Sequence, residues 1–244
     1  MKGIILAAGV ASRMRPLTDK SPKCLLQVGK KSILERTIDN LLLSGINELV
    51  IVTGYLEYMI RDFITEHYPS LHVHFIQNEK YETTNNVYSL WLARHLISGS
   101  DIILMDSDII FDQRIIGLLM HTQGMNRLAV RFEDNLGEEE MKVLLSDDQR
   151  ILTISKEIDP KKAAGESMGL AKFDKAFVDV LLAIVDKRIS EGLVNDFYEA
   201  AFQEALEQGY ELYAVDILGY PCVELDTVED IAEARKQVIK ELDT

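Results

Sequence analysis

The sequence predicts an α/β fold around a mainly parallel sheet, held in one domain. Three observations carry that prediction. Apolar runs and amphipathic stretches alternate from the first residues, as stacked βαβ units require. A long polar loop follows the first apolar run directly, and the 244 residues contain no repeat, low-complexity tract or linker that would divide them. A chain of this length buries a sizeable core as one unit.

In order, the first strand is Ile4-Ile5-Leu6-Ala7-Ala8, and Gly9 opens the loop. Ser32-Ile33-Leu34-Glu35 reads as a capping box, in which hydroxyl and carboxylate each satisfy the other residue's backbone donor. Ile33, Leu34, Ile38, Leu41 and Leu42 then mark one helical face, and Gly45 stops it. Leu49–Val52 is the second strand. A helix follows with Tyr55, Met59, Ile60, Phe63 and Ile64 inward, then a strand from His72 to Ile76, a helix carrying Val87, Leu90, Trp91 and Ile97, and the buried strand Ile102–Met105. After a short helix near Ile115 to Met120 the pattern shifts to shorter strands: Leu128–Phe132, Lys142–Leu145, Ile151–Ser155 and Ser167–Phe173. Helices are expected from Asp174 to Ile189 and from Asn195, as cap, to Gln208 before Gly209. Strands around Leu212–Val215 and Val223–Leu225 and a helix after Thr227 complete the reading. Residues 1 to about 125 are expected to make one half of the domain, and about 126 to 244 the other.

The composition, 47% hydrophobic and 27% charged, is that of a soluble globular protein, and no run approaches the ~20 apolar residues of a membrane span. A net charge of −14 weighs against DNA or RNA as partner. Two cysteines, Cys24 and Cys222, are too few for a disulfide framework and favour a cytoplasmic location. Met1-Lys2 and the apolar letters after it imitate a short export signal, but a first strand feeding a loop explains them as well.

Against that acidic background, Val10 to Lys31 holds six basic residues (Arg13, Arg15, Lys20, Lys23, Lys30, Lys31) and one acid, Asp19. Loops at the carboxyl edge of an α/β sheet are where ligands bind, and fixed cations with backbone amides neutralise phosphate oxygens. A solvated surface loop is the bland alternative. Neither G-x-G-x-x-G nor G-K-[ST] is present, since Gly29-Lys30-Lys31-Ser32 lacks the upstream glycine of a P-loop. Met105-Asp106-Ser107-Asp108 ends a buried strand at the same edge. Strand alternation would place both carboxylates on one side if the strand continues, a position suited to Mg²⁺.

The run Leu6-Ala-Ala-Gly-Val-Ala-Ser-Arg13-Met-Arg-Pro16-Leu-Thr18-Asp-Lys-Ser-Pro22-Lys23 resembles the signature loop of the nucleotidyltransferases that make sugar nucleotides and CDP-alcohols. The resemblance implies a Rossmann-like, three-layer GT-A-type fold. Leu6, Ala7, Ala8 and Gly9 would lie against the nucleotide, Arg13 would steady the triphosphate, and Lys23 would meet the reacting phosphoryl group. Ala11 departs from the family, which commonly has a second glycine there; alanine fits if its φ is negative. Asp108 is implied as a metal ligand with Asp106 as second candidate. Asp226, in Glu224-Leu225-Asp226-Thr227, resembles the late metal motif, although Thr227 with Asp230 also makes a helix cap.

Asn78 to Leu90 resembles phosphocholine cytidylyltransferases more than sugar-phosphate enzymes. Asn85, Asn86 and Ser89 supply neutral groups for base or ribose, while Asn85 would serve equally as a cap. Lys156 and Lys142 are candidates for the acceptor phosphate. Glu166 and the cluster Asn195, Asp196, Tyr198 and Glu199 are candidates for a cationic head group. The one tryptophan, Trp91, reads with Tyr88 as core, which weighs against choline and leaves a smaller amine. The five histidines (His67, His72, His74, His95, His121) show no close metal-ligand or triad pattern. The function implied is Mg²⁺-dependent transfer of CMP from CTP to a small phospho- or phosphono-amino alcohol, with pyrophosphate released. Acceptors of the phosphocholine, phosphoethanolamine or 2-aminoethylphosphonate type all fit. A sugar-1-phosphate enzyme using UTP, dTTP or CTP and a non-catalytic nucleotide sensor remain open at this point, as does a homodimer.

Overall fold

In the computed structural model, residues 1–121, 126–133 and 136–242 are described. The expected meeting point of the two halves, near residue 125, lies outside them. The elements are β1 (Lys2–Ala7), β2 (Gln27–Val28), β3 (Lys31–Ser32), α1 (Ile33–Leu43), β4 (Glu48–Thr53), α2 (Glu57–His67), β5 (His72–Gln77), α3 (Asn86–Ile97), β6 (Ile102–Asp106) and β7 (Ile109–Phe111). There follow α4 (Arg114–Met120), β8 (Arg127–Arg131), β9 (Lys142–Leu145), β10 (Ile151–Ser155), β11 (Gly165–Phe173), α5 (Lys175–Ser190), α6 (Glu199–Glu207), β12 (Tyr213–Asp216), β13 (Cys222–Glu224) and α7 (Val228–Glu241).

One sheet runs through both halves in the order β10-β9-β11-β6-β1-β4-β5, with β8 paired to β11 and β12 to β8. The strands β6, β1, β4 and β5 are parallel, and β11 joins them antiparallel through β6. Alternating residues of the central strands feed two cores. Ile4, Leu6, Val50, Val52, Ile102 and Leu104 pack under α3, α5 and α6. Ile5, Leu49, Ile51, Ile103 and Met105 pack under α1, α2 and α4. The helix–sheet–helix layering follows from that period of two on buried parallel strands. A third, smaller core joins Met14 of the basic loop, Val28, Ile33 and Ile110 to Leu225, Ile231 and Ala234, tying α7 to the loop.

The capping box at Ser32 is formed, with Glu35 N–H donating to the Ser32 hydroxyl at 3.2 Å. Asp174 caps α5 through the Phe177 N–H. Three departures from the sequence reading have local causes. The basic loop holds structure of its own: three 3-10 turns (Ser12–Met14, Leu17–Asp19, Lys23–Leu25) and the β2–β3 hairpin. Tyr55 precedes α2, its hydroxyl donating to the Asp19 carbonyl at 3.1 Å. Finally, α6 begins at Glu199, four residues after the expected cap Asn195, because the segment ahead of it is bound to the start of α3. Asn85 N–H donates to the Val194 carbonyl at 2.9 Å, and Tyr198 N–H to the Asn86 side chain at 2.8 Å.

Candidate active site

A cleft of about 860 Å³ opens at the carboxyl ends of β1 and β6, between the basic loop, the start of α3 and the antiparallel strands. Leu6, Ala7, Ala8, Gly9, Arg13, Lys23, Asn85, Asn86, Ser89, Asp106, Asp108, Lys156, Glu166 and Asp226 all line it. Of the candidate site residues singled out in the sequence, Lys142, Asn195, Asp196 and Tyr198 do not.

The floor is made by close backbone approach. Tyr55 N–H donates to the Ala8 carbonyl at 3.2 Å, and a Cβ on Gly54 would stand 2.5 Å from that same oxygen. Ala11 takes φ 51°, so the negative φ that would have made alanine comfortable is not adopted; its carbonyl accepts from the Thr18 hydroxyl at 2.9 Å. Arg13, in the turn that follows, and Lys23, in the turn Lys23–Leu25, both line the cleft. Lys23 Nζ lies 2.8 Å from Asp108 Oδ2 and 3.0 Å from Asp226 Oδ1, and Arg13 lies 2.7 Å from Asp226 Oδ2.

The acids come from three segments. Strand β6 stops at Asp106, and a turn rather than continued strand carries the chain to Asp108, so the alternation argument does not reach Asp108. Asp106 faces Tyr198, whose hydroxyl donates to it at 2.8 Å, while Asp108 faces Lys23. Tyr198 therefore does not line the acceptor space; buried, it positions Asp106. Strand β13 pairs with β7, setting Glu224 opposite Ile109, and Leu225 N–H donates to the Asp108 carbonyl at 3.0 Å. Carboxylate oxygens of Asp108, Glu224 and Asp226 thus gather within 4.8 Å of one another. The sequence reading passed over Glu224, because only the β7–β13 pairing brings it to Asp108. The cap of the late motif is formed and leaves Asp226 in the cleft: Asp230 accepts from the backbone of Asp226 and Thr227, and Asp226 faces the loop cations.

Electrostatics separate these acids. Burial pushes Asp106 well up, and Asp108 and Glu199 add to that. Burial with Asp108 and Asp226 nearby raises Glu224 to about 7. For Asp226 burial pushes upward, but Lys23 and Arg13 outweigh it and hold the carboxyl low. For Lys23 burial pulls downward, and Asp108 and Asp226 overcome it, so the ammonium is held charged. Cys24, although on the cleft wall, is buried and its thiol is pushed up to about 12, which makes it inert.

Asn78 anchors the α3 side, its amide donating to Thr84 at 3.1 Å and Ser89 at 3.3 Å. On the other side of the cleft, Lys156 Nζ stands 4.7 Å over the Phe197 ring, and Glu166 pairs with Arg131 at 2.7 Å. Glu199 is buried with an unpartnered Oε2 among the described residues, and burial raises it to about 7. Arg131, Phe197 and Glu199 line the cleft as well. Lys142 is fully buried and gives its ammonium to the carbonyls of Gly137, Glu138 and Glu140, so it fastens the turn before β9 rather than facing the cleft. Asp196 pairs with Arg188 at 2.5 Å, away from the cleft. Trp91 donates to Asp186 at 2.9 Å and, with Tyr88, stays outside the lining.

The nucleotidyl transferase family model matches residues 2–241. A choline-phosphate cytidylyltransferase of Streptococcus pneumoniae is 30% identical over 94% of this chain and 95% of its own length. A CTP:phosphoglutamine cytidylyltransferase of Campylobacter jejuni is 28% identical over 95% of this chain and 98% of its own. Among solved structures, CTP:phosphocholine cytidylyltransferase (LicC) of Streptococcus pneumoniae superposes with a TM-score of 0.82 at 25% identity, covering 97% of this chain and 98% of that one. With its loop cations and gathered carboxylates at the carboxyl edge of the parallel strands, the chain belongs to the nucleotidyl transferase family and is an enzyme of that class.

Proposed function

We propose that this enzyme transfers CMP from CTP to a small phosphorylated or phosphonylated amino alcohol, releases pyrophosphate, and works with Mg²⁺. The observation that carries the reading is the meeting of Lys23 with Asp108 and Asp226, which joins the basic loop to a carboxylate group in one cleft. The similarity to cytidylyltransferases over nearly the whole chain supports CTP as donor.

The donor set fits Mg²⁺. Asp108, Glu224 and Asp226 offer hard oxygens, and Asp108 Oδ1 is buried without a hydrogen-bond partner among the described residues. When bound there, the ion supplies charge neutralisation at the phosphate oxygens. The chain's own groups do the rest. Backbone from Leu6 to Gly9 and the Asn85, Asn86 and Ser89 side chains receive the nucleoside, and Arg13 takes the β- and γ-phosphates. On the acceptor side Lys156 and Arg131 meet the phosphoryl group, and Glu199 with Phe197 meets the amine. An acceptor oxygen attacks the α-phosphorus in line; the bond to the bridging oxygen breaks and pyrophosphate leaves. Lys23 stabilises the charge on the equatorial oxygens. No general base is needed, because a phosphomonoester with a second pKa near ~6 is already largely dianionic at neutral pH.

A pyrophosphate-release panel crossing the four common NTPs with phosphocholine, phosphoethanolamine, 2-aminoethylphosphonate and glucose-1-phosphate tests this. CTP with an amine-bearing acceptor should give the highest kcat/KM. Lys23→Ala and Asp108→Asn should each lower it by about 10²–10³-fold, the scale of losing one preorganised electrostatic partner. Preference for the sugar phosphate, or near-normal turnover in both variants, would overturn the reading.

A further inference from the structure

The opposite end of the sheet from the cleft carries a second cluster of donors. Lys2, Glu48 and His72 are the first residues of the adjacent strands β1, β4 and β5. The parallel register pairs Glu48 with His72 and Val50 with His74. Because side chains two apart on a strand share a face, His72 and His74 project together beside Glu48. Their rings stand 4.6 Å apart between centroids, and His74 Nε2 lies 3.9 Å from Glu48 Oε1. One donor atom from each of the three residues falls within 4.8 Å of the others. The histidine spacing that looked uninformative as sequence is thus a two-imidazole, one-carboxylate constellation, completed by a residue 24 positions upstream that only the strand pairing supplies.

We propose that Glu48, His72 and His74 form a site for a divalent cation of the Zn²⁺ class, separate from the catalytic carboxylates. Imidazole nitrogens select borderline transition ions, whereas Asp108, Glu224 and Asp226 offer only the hard oxygens that suit Mg²⁺. Two histidines and one glutamate leave a fourth, open position for water. Donor atoms ~2 Å from a tetrahedral ion lie roughly 3.3 Å apart, so the three need only a small contraction, which partly exposed side chains reach by χ rotation. Lys2 is the competing cation: its Nζ is 2.9 Å from Glu48 Oε1 and 2.8 Å from the Leu96 carbonyl. The ion would use the other carboxylate oxygen or displace this contact. The consequence of loading is a cross-link between β4 and β5, and β5 is the terminal strand of the sheet.

The test uses the untagged full-length protein in saturating Mg²⁺, so that the catalytic carboxylates are occupied. Titrated Co²⁺ should bind at one equivalent with visible d–d absorption, and Zn²⁺ should displace it and raise the melting temperature. The double variant His72→Gln/His74→Gln should lose both the absorption and the Zn²⁺ shift, and Glu48→Gln should weaken them. His67, His95 and His121 remain in every variant as an internal control. No Co²⁺ band in the parent protein, or a band that persists in the double variant, would overturn the proposal.

Discussion

Three carboxylate oxygens of cleft-lining residues, Asp108 Oδ1, Glu140 Oε2 and Glu199 Oε2, are buried with no hydrogen-bond donor among the described residues. A buried acceptor left unpaired costs roughly 1–3 kcal/mol, so such atoms mark places where an incoming ligand completes the set. Glu199 shows what this costs the empty protein. Burial raises it to about 7, against about 4.3 in an unfolded chain. Between those values the native state holds a proton that the unfolded state has released. The stability this group contributes is therefore full below about pH 4.3 and lost as pH climbs toward about 7. Glu199→Gln is expected to melt above the parent at pH 8 and alongside it at pH 4.5; equal melting at both would mean that the group is not buried as described. Ala11 is a second residue held at a local disadvantage, with φ 51° where only glycine is unstrained. Ala11→Gly should gain roughly 0.5–1 kcal/mol, after the added flexibility of the unfolded chain is counted, or about 2 °C in Tm. Calorimetry on the two proteins decides it, and a fall in Tm would count against the strain argument.

At the scale of elements, the carboxylate end of the site depends on the start of α7. Asp230 accepts from Asp226 N–H at 2.8 Å and Thr227 N–H at 2.6 Å, while its own N–H donates to the Thr227 hydroxyl at 3.2 Å. The same bonds that cap the helix fix the backbone from which the Asp226 carboxylate projects. Asp230→Ala should cost about 1 kcal/mol in stability. It should also raise the Mg²⁺ concentration for half-maximal turnover by about tenfold or more, as losing a supporting hydrogen bond behind a ligand does. A stability loss with unchanged Mg²⁺ dependence would limit Asp230 to capping. Strand β11 supports the opposite wall: its register against β8 shifts between Ser167 and Ala171. There Gly169, at φ 63°, passes so close to Asp106 that a Cβ would stand 2.8 Å from Oδ2.

For the whole molecule, a nucleotide and metal held as proposed would bridge the basic loop, the β6 turn and the β13–α7 junction, so ligand binding should stabilise the fold as one body. Mg²⁺ with CTP at 100 times Kd adds about 2.7 kcal/mol, or roughly 5–10 °C in a melting experiment. Asp108→Asn should remove most of that shift, and an unchanged shift would place the metal elsewhere. Most of this architecture was legible in the letters, because alternating apolar runs and the Ser32 cap are local signals. The basic loop was legible for the same reason: Arg13 and Lys23 carry their charge whatever the fold. What local reading lacked was pairing over distance. Glu224 reaches Asp108 only through β7 and β13, and Asn195 fails as a cap because α3 claims the backbone near it. Lys142 and Lys156 look alike as letters, yet three carbonyls hold one and an aromatic ring in the cleft faces the other.

The bond from Lys23 to Asp226 spans 203 positions of sequence. On the ribosome, the β1 strand and its cationic loop emerge early and Asp108 midway, but Asp226 is delivered only after every strand. A polypeptide interrupted before Asp226 would carry every strand yet lack one of the two carboxylates that meet Lys23, so a complete cleft reports that translation has run past that point.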